Sequence, residues 1–285
     1  MSKVLILGAN GQLGSDLVKV CKHENIKHIP VTSDEFNALH DDLASKLLVH
    51  KPDYIINCIA TTNVDGCEEG SMLAFNINTD FVYNLAKFCD TNNITLIHIS
   101  TDYIFDGSKT TPYLETDLPN PQNIYGLSKY AGEMAVQSYA TKYFIFRVSS
   151  LFGKAGASGK GGNFITSMQR LGQERDTVTV IADQITCPTA TSDIARCIIH
   201  FIKKQIDDYG IYNCVSSNSC SWFEFARAIF ILLGLDTKVE PISFASYKFT
   251  ARRPKYSALS TAKLSKYYQM STWQEGLTKY FLDNK

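Results

Sequence analysis

The stretch "LILGANGQLG", Leu5 to Gly14, decides the fold. Gly8, Gly11 and Gly14 follow directly on a short apolar run that reads as a strand. They precede Leu13, Leu17, Val20 and Cys21, which recur at helical spacing. A tight strand-to-helix turn needs residues without a Cβ, both to take up unusual φ values and to let a pyrophosphate approach the backbone. The phosphate charge then meets the free N–H groups and the positive end of the helix. Taken alone, three glycines are a weak signal that a plain turn also produces, so the surrounding pattern matters.

That pattern repeats. "KHIPV", "DYIINCIA", "TLIHIS" and "YFIFRVSS" read as further strands, and Phe81, Leu85 and Phe88 keep helical register before the stop "DTNN". Continuous apolar strands suit a parallel sheet covered on both faces. The expected class is therefore α/β, a Rossmann-like doubly wound parallel sheet with a smaller C-terminal α/β substrate lobe. After Phe152 the texture changes to the Gly-rich "GKAGASGKGGNF" and then to mixed elements, including a helix with Trp222, Phe225, Ala226, Ile229 and Leu233 on one face. We place the dinucleotide-binding domain at 1–150 and the substrate lobe at 151–285. The segment 190–205, where Ile194, Ile198, Phe201 and Ile202 keep helical register, is expected to return to the first sheet.

Bulk properties narrow the chemistry. Lys plus Arg and Asp plus Glu both total 28, so no broad field draws the chain to nucleic acid or an acidic membrane, and a small-molecule substrate is the better expectation. With no basic leader and no run of eighteen apolar residues, the sequence reads as cytoplasmic. Its eight cysteines show no Cys-x-x-Cys and sit mostly in apolar surroundings, as reduced core thiols do. No Cys, His and carboxylate cluster has metal-ligand spacing, so no metal is expected.

The end of the second strand, "IPVTSDEF", bears on cofactor choice. An acidic residue there accepts hydrogen bonds from the adenosine ribose of NAD. Our register puts Thr32 or Ser33 at that position and Asp34 just beyond, so a 2′-phosphate meets less repulsion. NADPH is the expected cofactor, with NADH the alternative.

The proton-transfer candidates lie in "NIYGLSKYAGE", Asn123 to Glu133. Tyr-x-x-x-Lys proves nothing by itself, because Tyr83 and Lys87 also match it; that pair sits between the third and fourth strands and is assigned to structure. Tyr125 and Lys129 follow the fourth strand and its exit "HISTDYIFDG", and a helix starting near Ile124 carries both on one face. A phenol with a reference pKa of about 10 needs a nearby cation to exchange its proton near neutrality, and Lys129 can supply one. Thr101, at the carboxyl end of the fourth strand, can hydrogen-bond a substrate carbonyl.

With these stretches in view, the chain resembles the extended short-chain dehydrogenase/reductase family over nearly its whole length. The Gly-x-x-Gly-x-x-Gly spacing and Tyr-x-x-x-Lys are generic to the family. "STDYIFDG", "GGNF", "VIADQITCPT", "CSWFEFA" and "RRPKYSAL" are specific to its branch acting on 4-keto-6-deoxy nucleotide sugars. The resemblance implies NAD(P)H-dependent reduction of the C4 keto group of such a sugar, with dTDP-4-dehydro-L-rhamnose going to dTDP-L-rhamnose. The runner-up is a non-catalytic NAD(P)-binding regulatory subunit of another enzyme.

Carried across, Thr101, Tyr125 and Lys129 resemble the catalytic triad. Gly8, Asn10, Gly11, Gln12, Leu13 and Gly14 match the phosphate loop, Ala60 a strand end beside the adenosine, and Asn78 a helix position near the cofactor. Thr32, Tyr125 and Lys129 complete the expected cofactor set. Asn163 resembles a contact to the sugar nucleotide, and Arg253 is a candidate for its diphosphate. The expected partner is the nucleotide sugar, with neither nucleic acid nor membrane, and a homodimer is left open. Three departures bear on which sugar fits: Ser150 stands where the branch commonly has Trp, Thr61 where it commonly has His, and the Gly-rich loop 153–162 is long enough to act as a lid.

Overall fold

The computed structural model describes residues 2–155 and 162–282, so the expected lid loop falls mostly outside the described residues. Six parallel strands form the main sheet: β1 (Lys3–Leu7), β2 (Lys27–Val31), β3 (Tyr54–Asn57), β4 (Thr95–Thr101), β5 (Tyr143–Val148) and β6 (Gly210–Asn213). Their spatial order is β2-β1-β3-β4-β5-β6. The order reverses between β1 and β3, and the crevice at the carboxyl ends of those strands is where doubly wound sheets bind ligands. Pro30 sits in β2 without breaking the sheet because β2 is an edge strand, paired only with β1.

Each face is covered by a pair of helices. On one side, α1 (Gln12–His23) and α3 (Thr191–Lys203) bury Leu13, Leu17, Ile194, Ile198 and Phe201 against Phe144 and Phe146. On the other, the helix Phe81–Thr91 and α2 (Ile124–Tyr139) pack Phe81, Leu85 and Val136 on Leu96 and Ile145. Returning chain thus extends past 190–205. The strand "GIYN", which sequence reading left in the lobe, is β6 beside β5. Four residues opening on Gly210, at φ +135°, are too few to show a strand period.

The rest of the C-terminal half builds its own core. A parallel pair, Thr177–Ile181 with Lys238–Ile242, packs with the helices Phe164–Glu174 and Trp222–Leu233 around Ile165, Val178, Phe225 and Ile229.

One buried ion pair fixes α2 to the sheet. Arg147, on β5, donates through Nη2 to Glu133 Oε2 at 2.8 Å and through Nε to Glu133 Oε1 at 3.0 Å, with both side chains almost wholly inaccessible. Its Nη1 donates to Glu115 O at 3.1 Å. Removing one charge strands the other in a dry interior, which costs about 3–5 kcal/mol. Glu133→Gln is expected to lower the unfolding free energy by about 3 kcal/mol in urea titrations; a loss below about 1 kcal/mol would show that water reaches the pair.

Candidate active site

Backbone closeness creates the crevice. Gly8 takes φ +74° at the end of β1, and a Cβ on Gly14 would lie 2.1 Å from Gly8 O, so α1 starts hard against the loop. Gly11 caps α1 without a side-chain hydrogen bond, leaving the first-turn amides to face a cavity of about 600 Å³. Gln12, Leu13 and Gly14 line that cavity. Uncapped amides at the positive end of a twelve-residue helix fit a dinucleotide pyrophosphate.

The opposite wall is the start of α2. Asn123 caps it, accepting from Gly126 N at 2.7 Å. A Cβ on Gly126 would meet Tyr103 O at 2.2 Å, so only glycine lets this helix sit so close to the exit of β4. That contact brings Tyr125 beside Tyr103, their rings edge-to-face at 5.9 Å, and within hydrogen-bond reach of Thr101. One turn on, Lys129 is 2% exposed and its Nζ donates to Ile99 O at 2.6 Å. Thr101, Tyr125 and Lys129 all line the cavity.

Burial dominates the electrostatics here. It raises Tyr125 above the ordinary phenol value, with the Thr101 hydrogen bond acting the other way. Sequence reading expected Lys129 to lower Tyr125; instead Thr101 is the group that opposes the rise, and the phenol stays protonated at neutral pH. Burial also pulls Lys129 down to about 8, against the Glu133 carboxylate one turn further along α2. Lys129 is therefore still an ammonium at neutrality. Asp102, which sequence reading passed over, lines the cavity and is lifted by burial to about 6.

Several expected contacts are placed otherwise. Ala60 lines the cavity, but Gly8, Asn10, Thr32 and Asn78 do not. Gly8 shapes the turn, its N–H donating to Val31 O. Asn10 donates to Ser33 Oγ at 3.3 Å, tying the loop to the end of β2. Both the N–H and the hydroxyl of Thr32 go to Glu35 Oε2, at 2.8 and 3.0 Å. The Glu35 carboxylate therefore lies at the end of β2, on the residue that the register put at the reading position. Asn78 is fully buried: its Oδ1 accepts from Thr61 N, and its Nδ2 donates to Thr61 O and Ser128 Oγ. It clamps the loop after β3 to α2.

Asn163 lines the cavity, yet its Oδ1 caps the helix Phe164–Glu174 and its Nδ2 donates to Gly153 O and Gln12 Oε1. Arg253 also lines it, with Nη2 on Asp65 Oδ2 at 2.7 Å and Nη1 on Tyr103 Oη at 3.3 Å. Ser150 adopts φ +46°, and aromatic surface is supplied by Phe152, Phe164, Trp222 and Phe225. Thr61 is held by its backbone, while Thr62 and Val64 line the cavity. The Tyr83 and Lys87 pair is a surface contact at 3.2 Å.

The family model described as RmlD substrate binding domain matches residues 2–285. A dTDP-4-dehydrorhamnose reductase of Aggregatibacter actinomycetemcomitans is 35% identical, covering 97% of each chain. The crystal structure of dTDP-4-dehydrorhamnose reductase from Bacillus anthracis, in complex with NADP, superposes with a TM-score of 0.92 at 38% identity, covering 99% of each chain. That of the Clostridium acetobutylicum dTDP-4-dehydrorhamnose reductase gives 0.91 at 37% identity, covering 98% of each chain.

Proposed function

The chain belongs to the RmlD substrate binding domain family, and from that premise we infer that it reduces the C4 keto group of dTDP-4-dehydro-L-rhamnose to give dTDP-L-rhamnose, with NADPH as cofactor. One observation carries this reading: the amide cradle of α1, Thr101, Tyr125 and Lys129 converge on a single cavity. When bound, NADPH supplies the hydride to C4. Thr101 orients the carbonyl by hydrogen bonding, and Tyr125 Oη gives its proton to the C4 oxygen. Burial supports the acid role, because it keeps that phenol protonated until the oxygen turns basic. Lys129 opposes the negative charge then left on the ring, and Ile99 O holds its ammonium in the cavity wall. Phe164 and Trp222, with ring centroids 4.5 Å apart, give the sugar nucleotide an apolar wall.

Arg253 is poised for the diphosphate only if Asp65 yields its share of the guanidinium. Asn163 supports the substrate wall through the helix it caps. The eight cysteines form no disulfide and seven of them are buried, which suits a reducing compartment such as the cytoplasm, and no helix among the described residues is long and apolar enough to cross a membrane.

The test is NADPH oxidation followed by absorbance across several nucleotide-linked 4-keto-6-deoxy sugars, with NMR identification of the product. Turnover with the dTDP sugar is expected. No oxidation with any of them, alongside stable association with a second enzyme, would favour a regulatory subunit instead. Cofactor choice has its own test. The Glu35 carboxylate on Thr32 repels a 2′-phosphate. Glu35→Gln is expected to tighten NADPH roughly fivefold and to leave NADH unimproved. Equal changes for both in fluorescence titrations would place the 2′-position away from β2.

A further inference from the structure

Behind Thr101 runs a buried polar chain that the reduction as described leaves unused. Thr101 Oγ1 donates to Asp102 Oδ1 at 3.2 Å, and Ser149 Oγ donates to Asp102 Oδ2 at 2.8 Å. Ser257 adds a further hydrogen bond to the same carboxyl. Ser149 is linked to Thr186 at 2.8 Å and Thr186 to Ser150 at 2.6 Å. Thr101, Asp102, Ser149, Thr186 and Ser257 are each at most 4% exposed. The chain nonetheless begins and ends at the cavity, which both Thr101 and Ser150 line.

Donor counting gives this arrangement a consequence. A carboxylate only accepts, whereas a hydroxyl has one hydrogen to give. While Asp102 is ionised, the Thr101 hydrogen points inward to it, and Tyr103 N also donates to Thr101 Oγ1, at 3.2 Å. On its cavity side Thr101 can then only accept. Once Asp102 carries a proton, that proton can be given to Thr101 Oγ1, and the Thr101 hydrogen is released toward the cavity.

We propose that Asp102 is a positioning residue whose proton sets the direction of the Thr101 hydroxyl, so that Thr101 donates to the substrate carbonyl only while Asp102 is protonated. The proposal rests on the reading of the cavity as a ketone-reducing site. Both states are accessible in a working range of pH, because burial lifts Asp102 to about 6 even though its hydroxyl partners act the other way. The titratable groups that face it are Tyr103 on its own segment, Tyr125 from α2 and Cys187 from the lobe, all raised by burial and uncharged between pH 5 and 8. Arg253, across Tyr103, stays charged throughout and is engaged with Asp65. The Ser149, Thr186 and Ser150 hydroxyls give the Asp102 proton a route to the cavity that bypasses Thr101.

The experiment is the pH profile of kcat from pH 5 to 9 at saturating NADPH and dTDP-4-keto sugar, for the parent, Asp102→Asn and Ser149→Ala, with NADPH affinity and thermal melting measured alongside. In the parent, kcat falls roughly tenfold as pH rises through the Asp102 titration. The Asp102→Asn amide donates at every pH as the protonated acid does, so this limb vanishes and kcat at pH 7.5 exceeds that of the parent. Ser149→Ala removes a hydrogen bond that favours the carboxylate, so the limb moves to higher pH. A limb that persists in Asp102→Asn, or one that stays in place in Ser149→Ala, overturns the proposal. If Asp102→Asn fails to melt cooperatively, Ser149→Ala alone decides. A parent that oxidises NADPH but shows no such limb overturns the Asp102 role and leaves the reductase reading intact. A parent that oxidises none overturns both.

Discussion

Tyr125→Phe is expected to lower kcat for the C4 reduction by about 10³-fold while NADPH binds with unchanged affinity. The ring stays, so its edge-to-face contact with Tyr103 at 5.9 Å is kept and the cavity holds its shape. Only the hydroxyl goes, and with it the proton for the C4 oxygen. Burial raises the Tyr125 phenol, so the group begins each turnover as an acid. Water is a poor substitute, because the hydroxyl is placed by the close packing of Gly126 on Tyr103 O. A variant with parental kcat in stopped-flow assays would remove Tyr125 from the proton path.

Lys129→Met should separate activity from stability. Methionine fills the space of the lysine stem and leaves out the ammonium, so kcat is expected to fall by about 10²-fold or more, since only the Thr101 hydrogen bond then opposes the charge on the Tyr125 ring. The folded protein without cofactor should nevertheless become more stable at neutral pH. Lys129 titrates at about 8 when folded against a reference value of 10.5, so its ammonium is less favourable inside than in the unfolded chain. For a lysine lowered in this way the cost is fully present below pH 8 and disappears as pH rises to 10.5 and beyond. Allowing for the lost hydrogen bond to Ile99 O, Lys129→Met should gain about 2 kcal/mol at pH 7 and lose about 1 kcal/mol near pH 11. Urea titrations at the two pH values check this. A variant less stable than the parent at pH 7 would mean that the ammonium earns its place by structure. The same titration should make parental kcat decline above pH 8, apart from the limb assigned to Asp102.

What could be read in the sequence was whatever is local. The loop from Gly8 to Gly14 joins a strand to a helix within ten residues, and Tyr125 and Lys129 share a face because a helix turns once in four residues. The fate of individual amides was harder to read. Asn78 and Asn163 could meet a ligand or a backbone, and only the fold shows that both give their polar atoms to the protein. For Asn163 a signal was available, since Thr166 three residues on completes a capping box. Glu35 illustrates a different limit. Its carboxylate returns to Thr32 through a turn whose geometry the strand register did not contain. Asp102 stood in plain view in "STDYIFDG", but its partners Ser149, Thr186 and Ser257 come from distant segments, so neither its burial nor its raised pKa could be foreseen.

The central claim is that this cavity passes a hydride to a ketone carbon while Tyr125 protonates its oxygen. The most direct measurement supplies NADPH deuterated at the transferable position together with dTDP-4-dehydro-L-rhamnose and locates the label by NMR. One deuterium at C4 of dTDP-L-rhamnose, with product formation sharply reduced in Tyr125→Phe, is the predicted result. Unlabelled product, or label at any other carbon, would contradict it.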